Sequence, residues 1–398
     1  MKIKLTSILL MGTLLLSCSV SNEKPMKELV DDALVFAEKQ SLLMAAKYAD
    51  FNNIYPRTFE NGQMITSGSE WWCSGYFPGV LWYLYENSNN LELLKHAKKY
   101  TSGIEKEKDN TGLHDIGLML YCSFGNGYRV TKDESYKNIM LSGAASLASR
   151  YDQKIGLIRS WDFGNWQYPV IIDNMMTIEL LFWAADASDN DYYKEFCVSH
   201  ADKTIENHYR NDNSCYHVVS YDTITGTVEK KQNFQGLSDE SAWSRGQAWG
   251  LYGYTVMYRE TKEQRFLEQA KRIADYTLNH PNMPDDFIPF WDYNAKKIPD
   301  EPRDASAGAI MASAFIELSG YVDKELSDKY LKIAETQLRT LASPAYTAQL
   351  GGNGNFILMH SVGSLAHNSE VDVPLTYADY YYVEALIRYK KLILKSKS

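Results

Sequence analysis

The chain is short of several things. Of its 398 residues only five are cysteine, 11 proline and 24 glycine. That excludes a disulfide-dense scaffold, a collagen-like repeat and a disordered low-complexity chain. Beyond Cys18, the cysteines Cys73, Cys122, Cys197 and Cys215 form no C-x-x-C pair and have no histidine at ligand spacing. No zinc site, other metal site or cofactor is therefore expected, and the four read as small core residues. Basic residues are also in deficit, 41 Lys and Arg against 50 Asp and Glu, for a net charge of −9. Such a surface argues against a nucleic-acid partner. Aromatic residues, by contrast, are abundant at 13%, with 29 Tyr and 9 Trp. That load suits either a large helical core or exposed rings that stack sugars.

Long apolar runs are nearly absent too. The run Ile8 to Leu16 is too short to cross a bilayer and follows the basic Met1-Lys2-Ile3-Lys4. It ends in Leu15-Leu16-Ser17-Cys18, which resembles a bacterial lipobox, with cleavage before Cys18 and lipidation of its thiol. A plain secretory peptide with a chance cysteine is the alternative. The expected organisation is a signal peptide over 1–17, a tether over 18–26 and one catalytic domain over 27–398. The mature protein is then a cell-envelope lipoprotein, facing the periplasm of a Gram-negative bacterium and touching membrane only through its N-terminal lipid.

Apolar residues recur at helical spacing through most of the remaining chain. The pattern predicts twelve helices: Lys27–Ala49, Pro78–Glu86, Leu91–Gly103, Asp115–Tyr128, Glu134–Tyr151 and Asp173–Ala187, then Tyr192–His208, Ser241–Thr261, Gln264–Asn279, Ala305–Val322, Lys324–Leu341 and Thr376–Leu392. Only Cys215–Ile224, with Tyr216, Val218, Val219 and Tyr221, reads as a short hairpin within a loop. Alternate helices open on unusual clusters rich in small, polar and aromatic residues: Ser74-Gly75-Tyr76-Phe77-Pro78-Gly79, His114-Asp115-Ile116-Gly117 and Asp173-Asn174-Met175-Met176, and later Ser244-Arg245-Gly246-Gln247-Ala248-Trp249-Gly250, Asp304-Ala305-Ser306-Ala307-Gly308-Ala309 and Tyr377-Ala378-Asp379-Tyr380-Tyr381-Tyr382. The intervening helices are ordinary amphipathic ones. The arrangement predicts an all-α (α/α)6 barrel, six crowded inner helices within six outer ones, with the inner N-termini converging on one mouth. A solenoid of stacked hairpins is the alternative, but it gives no reason for odd motifs at every second helix start.

Asp115 and Asp173 each stand at such a start. A lone Asp there is ordinarily an N-cap. Two on adjacent inner helices at one mouth suggest a carboxyl pair for acid–base work. Asp239, Asp304 and Asp379 read as caps or supporting partners. Trp72, Trp161 and Trp249 are candidate sugar platforms, with core packing as the alternative. Arg245 and Trp249 share a helix face at i, i+4, setting a guanidinium beside an indole and suiting a uronate carboxylate. An arginine paired only with a structural aspartate is the other reading.

The motifs Trp72-Cys73-Ser74-Gly75-Tyr76-Phe77-Pro78-Gly79, His114-Asp115-Ile116-Gly117, Ile171-Ile172-Asp173-Asn174-Met175-Met176 and Ser244-Arg245-Gly246-Gln247-Ala248-Trp249-Gly250 resemble glycoside hydrolase family 88, the unsaturated glucuronyl hydrolases. The resemblance covers nearly the whole mature chain. It implies removal of a 4,5-unsaturated uronic acid from the non-reducing end of lyase-generated oligosaccharides, glycosaminoglycan-type disaccharides among them. The implied chemistry is hydration: protonation of C4, addition of water at C5 and rearrangement of the hemiketal. On this reading Asp173 is the acid that then activates water, and Asp115 orients substrate and keeps the proton on Asp173. Because no nucleophile is needed, the carboxyl-spacing rule for ordinary glycosidases does not apply. The resemblance also implies substrate contacts from His114, His217 and Gln235, with Lys231 and Asn233 bordering the next sugar. Where the family usually shows Thr-His-Gln-Gly, this chain has Asn233-Phe234-Gln235-Gly236. Relatives acting on sulfated substrates tend to carry Ser-x-x-Ser-x-Lys before the last inner helix. Here Ser361 and Ser364 are present, but Ala366 replaces the lysine, so unsulfated substrates are expected to be preferred. Two alternatives remain open: an unsaturated rhamnogalacturonyl hydrolase acting on pectin fragments, and an oligosaccharide-binding lipoprotein without catalysis.

Overall fold

The computed structural model describes residues 23–49 and 52–395. Cys18 and the expected leader lie outside them. The twelve expected helices are all present among the described residues. The first three, α1 (Met26–Lys47), α2 (Tyr76–Ser88) and α3 (Leu91–Ser102), end within a few residues of expectation. The fourth is interrupted: α4 (Ile116–Leu120) passes through a wide π turn at Tyr121–Gly125 into α5 (Asn126–Thr131). Ser123 Oγ donates to the Met119 carbonyl and Asn126 Nδ2 to the Cys122 carbonyl. These side chains compete with the backbone ladder and widen it there. Next come α6 (Glu134–Ala148), then α7 (Asn174–Thr177) and α8 (Glu179–Ser188) where one helix was expected. The remaining helices are α9 (Tyr192–His208), α10 (Ser244–Thr261), α11 (Gln264–Asn279), α12 (Ala305–Leu318), α13 (Lys324–Leu341) and α14 (Thr376–Arg388).

Neighbour relations close a ring. Helix α2 packs on α5 and α14, α14 on α12, α12 on α10, α10 on α7, and α7 on α4. Around this ring stand α1, α3, α6, α9, α11 and α13, each against inner helices. The fold is the expected (α/α)6 barrel. Side chains separate the two rings: every residue of α12 is buried. In outer α11 the buried set is Phe266, Leu267, Gln269, Ala270, Ile273, Ala274 and Thr277, one face of an amphipathic helix. Small residues let the inner helices touch. A methyl group at Gly117 would meet the Thr177 carbonyl of α7, and one at Gly253 would meet Met175. Cys73, Cys122, Cys197 and Cys215 are free and buried.

Short antiparallel sheets dress the barrel end that holds the inner-helix N-termini. The pairs are β1 (Tyr55–Glu60) with β2 (Gln63–Ser67) and β3 (Tyr151–Asp152) with β4 (Leu157–Ile158). A three-stranded sheet follows in the order β5 (Pro169–Ile171), β6 (Val218–Tyr221), β7 (Val228–Gln232). The expected hairpin is therefore centred later, on β6 and β7, and gains a third strand from before α7. The last pair is β8 (Ser361–Ser364) with β9 (Ser369–Val373). No described helix is long and apolar enough to cross a membrane.

Candidate active site

Asp115 and Asp173 occupy the N-cap positions of α4 and α7, yet neither side chain makes a capping hydrogen bond. Elsewhere in the molecule Asp133, Asp304 and Asp323 do cap their helices. The two carboxyl groups are turned away from their helix ends, and both line a cavity of about 460 Å³ at the mouth. Capping does not explain them.

Their surroundings are asymmetric. His114 Nε2 lies 3.5 Å from Asp115 Oδ1, and burial drives the His114 imidazole down to about 3, so it is neutral. Burial and the charge of Asp173 push Asp115 up to about 7. Asp115 therefore keeps its proton to far higher pH than an ordinary carboxyl. On the other side, His217 Nδ1 accepts from the backbone N–H groups of Phe234 and Gln235, each at 3.1 Å. Its Nε2 faces Asp173 Oδ2 at 3.5 Å.

Of the residues singled out in the sequence, Trp72, His114, Asp115, Trp161, Asp173, Gln235, Arg245 and Ser364 line the cavity. Trp72 packs on Tyr377 with ring centres 4.9 Å apart. Trp161 stacks on the exposed Phe163 at 4.8 Å with planes 13° apart. Gln235 reaches the Gly363 carbonyl across the mouth at 3.3 Å. Arg245 is on the wall but largely engaged, donating to Asp304 at 3.2 Å and to the Val362 and Gly363 carbonyls. It supplies positive potential rather than a free fork, which favours the structural reading of this residue.

Five expected contacts are not on the wall. His217 is buried behind Asp173. Lys231, on β7, lies over the Tyr216 ring at 5.2 Å. The Asn233 side chain is consumed in its own loop, accepting from Gly236 N at 2.8 Å and donating to the Gly236 carbonyl. Trp249 sits one helical turn deeper than Arg245 and packs edge-on against Tyr381, wholly inside the barrel. Ser361 is buried beside an irregularity in the β8–β9 register, while Ser364 lines the mouth, bonded to His367 Nδ1 at 2.8 Å.

The sequence reading missed Arg57, Trp71, Glu370 and Tyr377, all on the wall. Arg57 stacks over Trp71 at 4.3 Å and pairs with Glu370 at 2.5 Å. Trp71 adjoins Trp72, a doublet that could have been noticed. Arg57 and Glu370 are 313 positions apart and carry no shared sequence signal.

Comparison with known proteins agrees with this architecture. No family model matches the chain. An unsaturated glucuronyl hydrolase of Formosa agariphila is 44% identical over 348 residues, 86% of each chain. The chain belongs to the unsaturated glucuronyl hydrolases, glycoside hydrolase family 88. An unsaturated chondroitin disaccharide hydrolase of Streptococcus agalactiae is 32% identical over 369 residues, 91% of this chain and 92% of its own. Among solved structures, an unsaturated glucuronyl hydrolase specific for heparin superposes with a TM-score of 0.90 at 45% identity, covering 93% of this chain and 98% of the other. A mutant of the Streptococcus agalactiae enzyme complexed with dGlcA-GalNAc6S gives 0.79 at 29% identity, covering 93% and 94%. The chain is thus a hydrolase of the glycosidase type that acts on oligosaccharides bearing an unsaturated uronate.

Proposed function

We propose that the protein hydrates the C4=C5 enol ether of the terminal unsaturated uronate in glycosaminoglycan-type disaccharides, and that the Asp115–Asp173 pair carries the reaction. The observation that supports this most is the pair itself: two carboxyl groups on adjacent inner helices that do not cap them and that face one aromatic-lined cavity. Asp173 gives its proton to C4, leaving a cation at C5 that the ring oxygen stabilises. Water adds at C5 and returns a proton to the Asp173 carboxylate. The hemiketal opens and the leaving sugar departs.

The proton must lie on Asp173 at the moment of transfer. A bound uronate brings a negative charge and excludes water, and both favour a neutral acid beside it. Trp72 and Trp161 supply flat apolar walls for sugar faces, while Gln235 and His114 supply polar contacts. Incubation with unsaturated disaccharides from several lyases, followed by loss of the enol-ether ultraviolet absorbance, tests the reading. Loss with glucuronate-type but not rhamnogalacturonate-type substrates is expected. Retained absorbance with all of them contradicts it.

We also propose that it works as a lipoprotein of the cell envelope, on the strength of Leu15-Leu16-Ser17-Cys18. Metabolic labelling with palmitate is expected for the full chain and lost in Cys18→Ala.

A further inference from the structure

We propose that His217 is a positioning residue for the carboxyl pair, locked by the backbone of the Phe234–Gln235 loop in the tautomer whose Nε2–H points at Asp173. The inference rests on the hydration reading but is tested separately from it. A neutral imidazole has one donor and one acceptor nitrogen. Nδ1 receives two backbone N–H groups at 3.1 Å each, so it is the acceptor and the proton belongs on Nε2. The ring is held in place, with Trp243 against it at 4.7 Å and Trp161 edge-on at 6.4 Å. Nε2 and Asp173 Oδ2 are both buried, 3.5 Å apart, and neither has another hydrogen-bond partner. A buried donor and a buried acceptor facing each other in this way are each the other's remaining means of satisfaction.

Two consequences follow. In the empty site the Nε2–H offers the buried Asp173 oxygen the partner it otherwise lacks. During C4 protonation negative charge develops on Asp173, and a fixed donor aimed at it stabilises that charge without reorganising. Other ionisable groups that interact with the pair or with His217 are His114, Arg150, Arg245, His208, Cys215, Cys73 and Tyr76. None of them has both a fixed tautomer and an open contact to Asp173. The loop that sets the tautomer also places Phe234 and the Gln235 side chain on the cavity wall.

Two substitutions separate the functions of the ring. His217→Asn keeps an acceptor near Nδ1 for the loop and loses the donor to Asp173. His217→Gln keeps a donor near Nε2 and loses the acceptor. Carbon-13 NMR of labelled aspartate carboxyl groups, in the free protein and assigned with Asp115→Asn and Asp173→Asn, reads where the proton sits without requiring turnover. Asp115 is expected to titrate near pH 7 in the wild type and in His217→Gln. In His217→Asn its midpoint should fall by at least half a pH unit while that of Asp173 rises, with kcat at least tenfold lower than in His217→Gln. Unchanged Asp115 and Asp173 midpoints in a folded His217→Asn, or greater damage from Gln than from Asn, overturns the proposal.

Discussion

The guanidinium of Arg245 and the carboxylate of Asp304 lie 3.2 Å apart, with no more than 1% of either side chain reaching solvent. Asp304 also caps α12 through Ser306 N, and Arg245 holds the carbonyls of Val362 and Gly363 in β8. The pair thus pins an inner-helix start to the hairpin that walls the cavity. Removing one partner of a buried pair strands the other charge and costs about 3–5 kcal/mol. Arg245→Ala is expected to lose stability on that scale and to raise KM, because Gly363 and Ser364 lose their anchor. Denaturant unfolding read beside KM checks it; a change in KM with stability intact would assign Arg245 to direct substrate binding.

Asp173→Asn is expected to abolish turnover with the fold unchanged. Asp115→Asn should lose on the order of 10²–10⁴-fold, because an amide at 115 can neither release a proton to its neighbour nor take up charge beside it once substrate is bound. Circular dichroism and loss of ultraviolet absorbance on an unsaturated disaccharide measure both. Near-normal turnover by either variant would remove that residue from the mechanism.

Asp115 also sets a pH dependence. Burial and the neighbouring carboxylate push it up to about 7, so kcat/KM in the wild type should fall as pH rises through that value. In Asp115→Asn the step centred there should be gone. A profile flat from pH 6 to 8.5 would contradict this assignment.

Stability should run with the same group. A carboxyl raised in the folded state binds its proton more tightly there than in the unfolded chain. Its contribution therefore worsens as pH climbs from about 4 to about 7 and stays unfavourable above. Asp115→Asn removes that cost and should raise Tm more at pH 8 than at pH 5. Equal shifts at both pH values would show that Asp115 is not held protonated.

The barrel was legible because inner and outer helices differ in composition as well as period: the small residues of α12 against the charged stripe of α13 mark their places. The carboxyl pair was legible for the same reason, since the start of each inner helix is at the mouth. What sequence could not give was depth and company. Trp249 shares a face with Arg245, but one turn of rise takes it from the mouth into the core. His217, expected as a substrate contact, is buried behind Asp173, and its backbone partners come from a loop whose path no local pattern reveals. Arg57 and Glu370 meet through the pairing of distant hairpins, which leaves no local periodicity.

Sulfate tolerance offers a further check. Ser361 is buried, and Ser364 is already bonded to His367. Hydroxyls alone also lack the charge-assisted bonds a sulfate favours, which are roughly twice as strong as neutral ones. On matched chondroitin disaccharides, kcat/KM is expected to be higher for the unsulfated form than for the 6-sulfated one. The reverse order would show that another cation on the wall, such as Arg57, replaces the missing lysine.

The hydration step is tested most directly by running the reaction in heavy water and sampling the first turnovers, before the keto product exchanges by enolisation. Mass spectrometry and NMR should find one solvent deuterium on C4 of the released uronate product. An early product with no deuterium at C4 would contradict protonation of the double bond, and with it the role proposed here for Asp173.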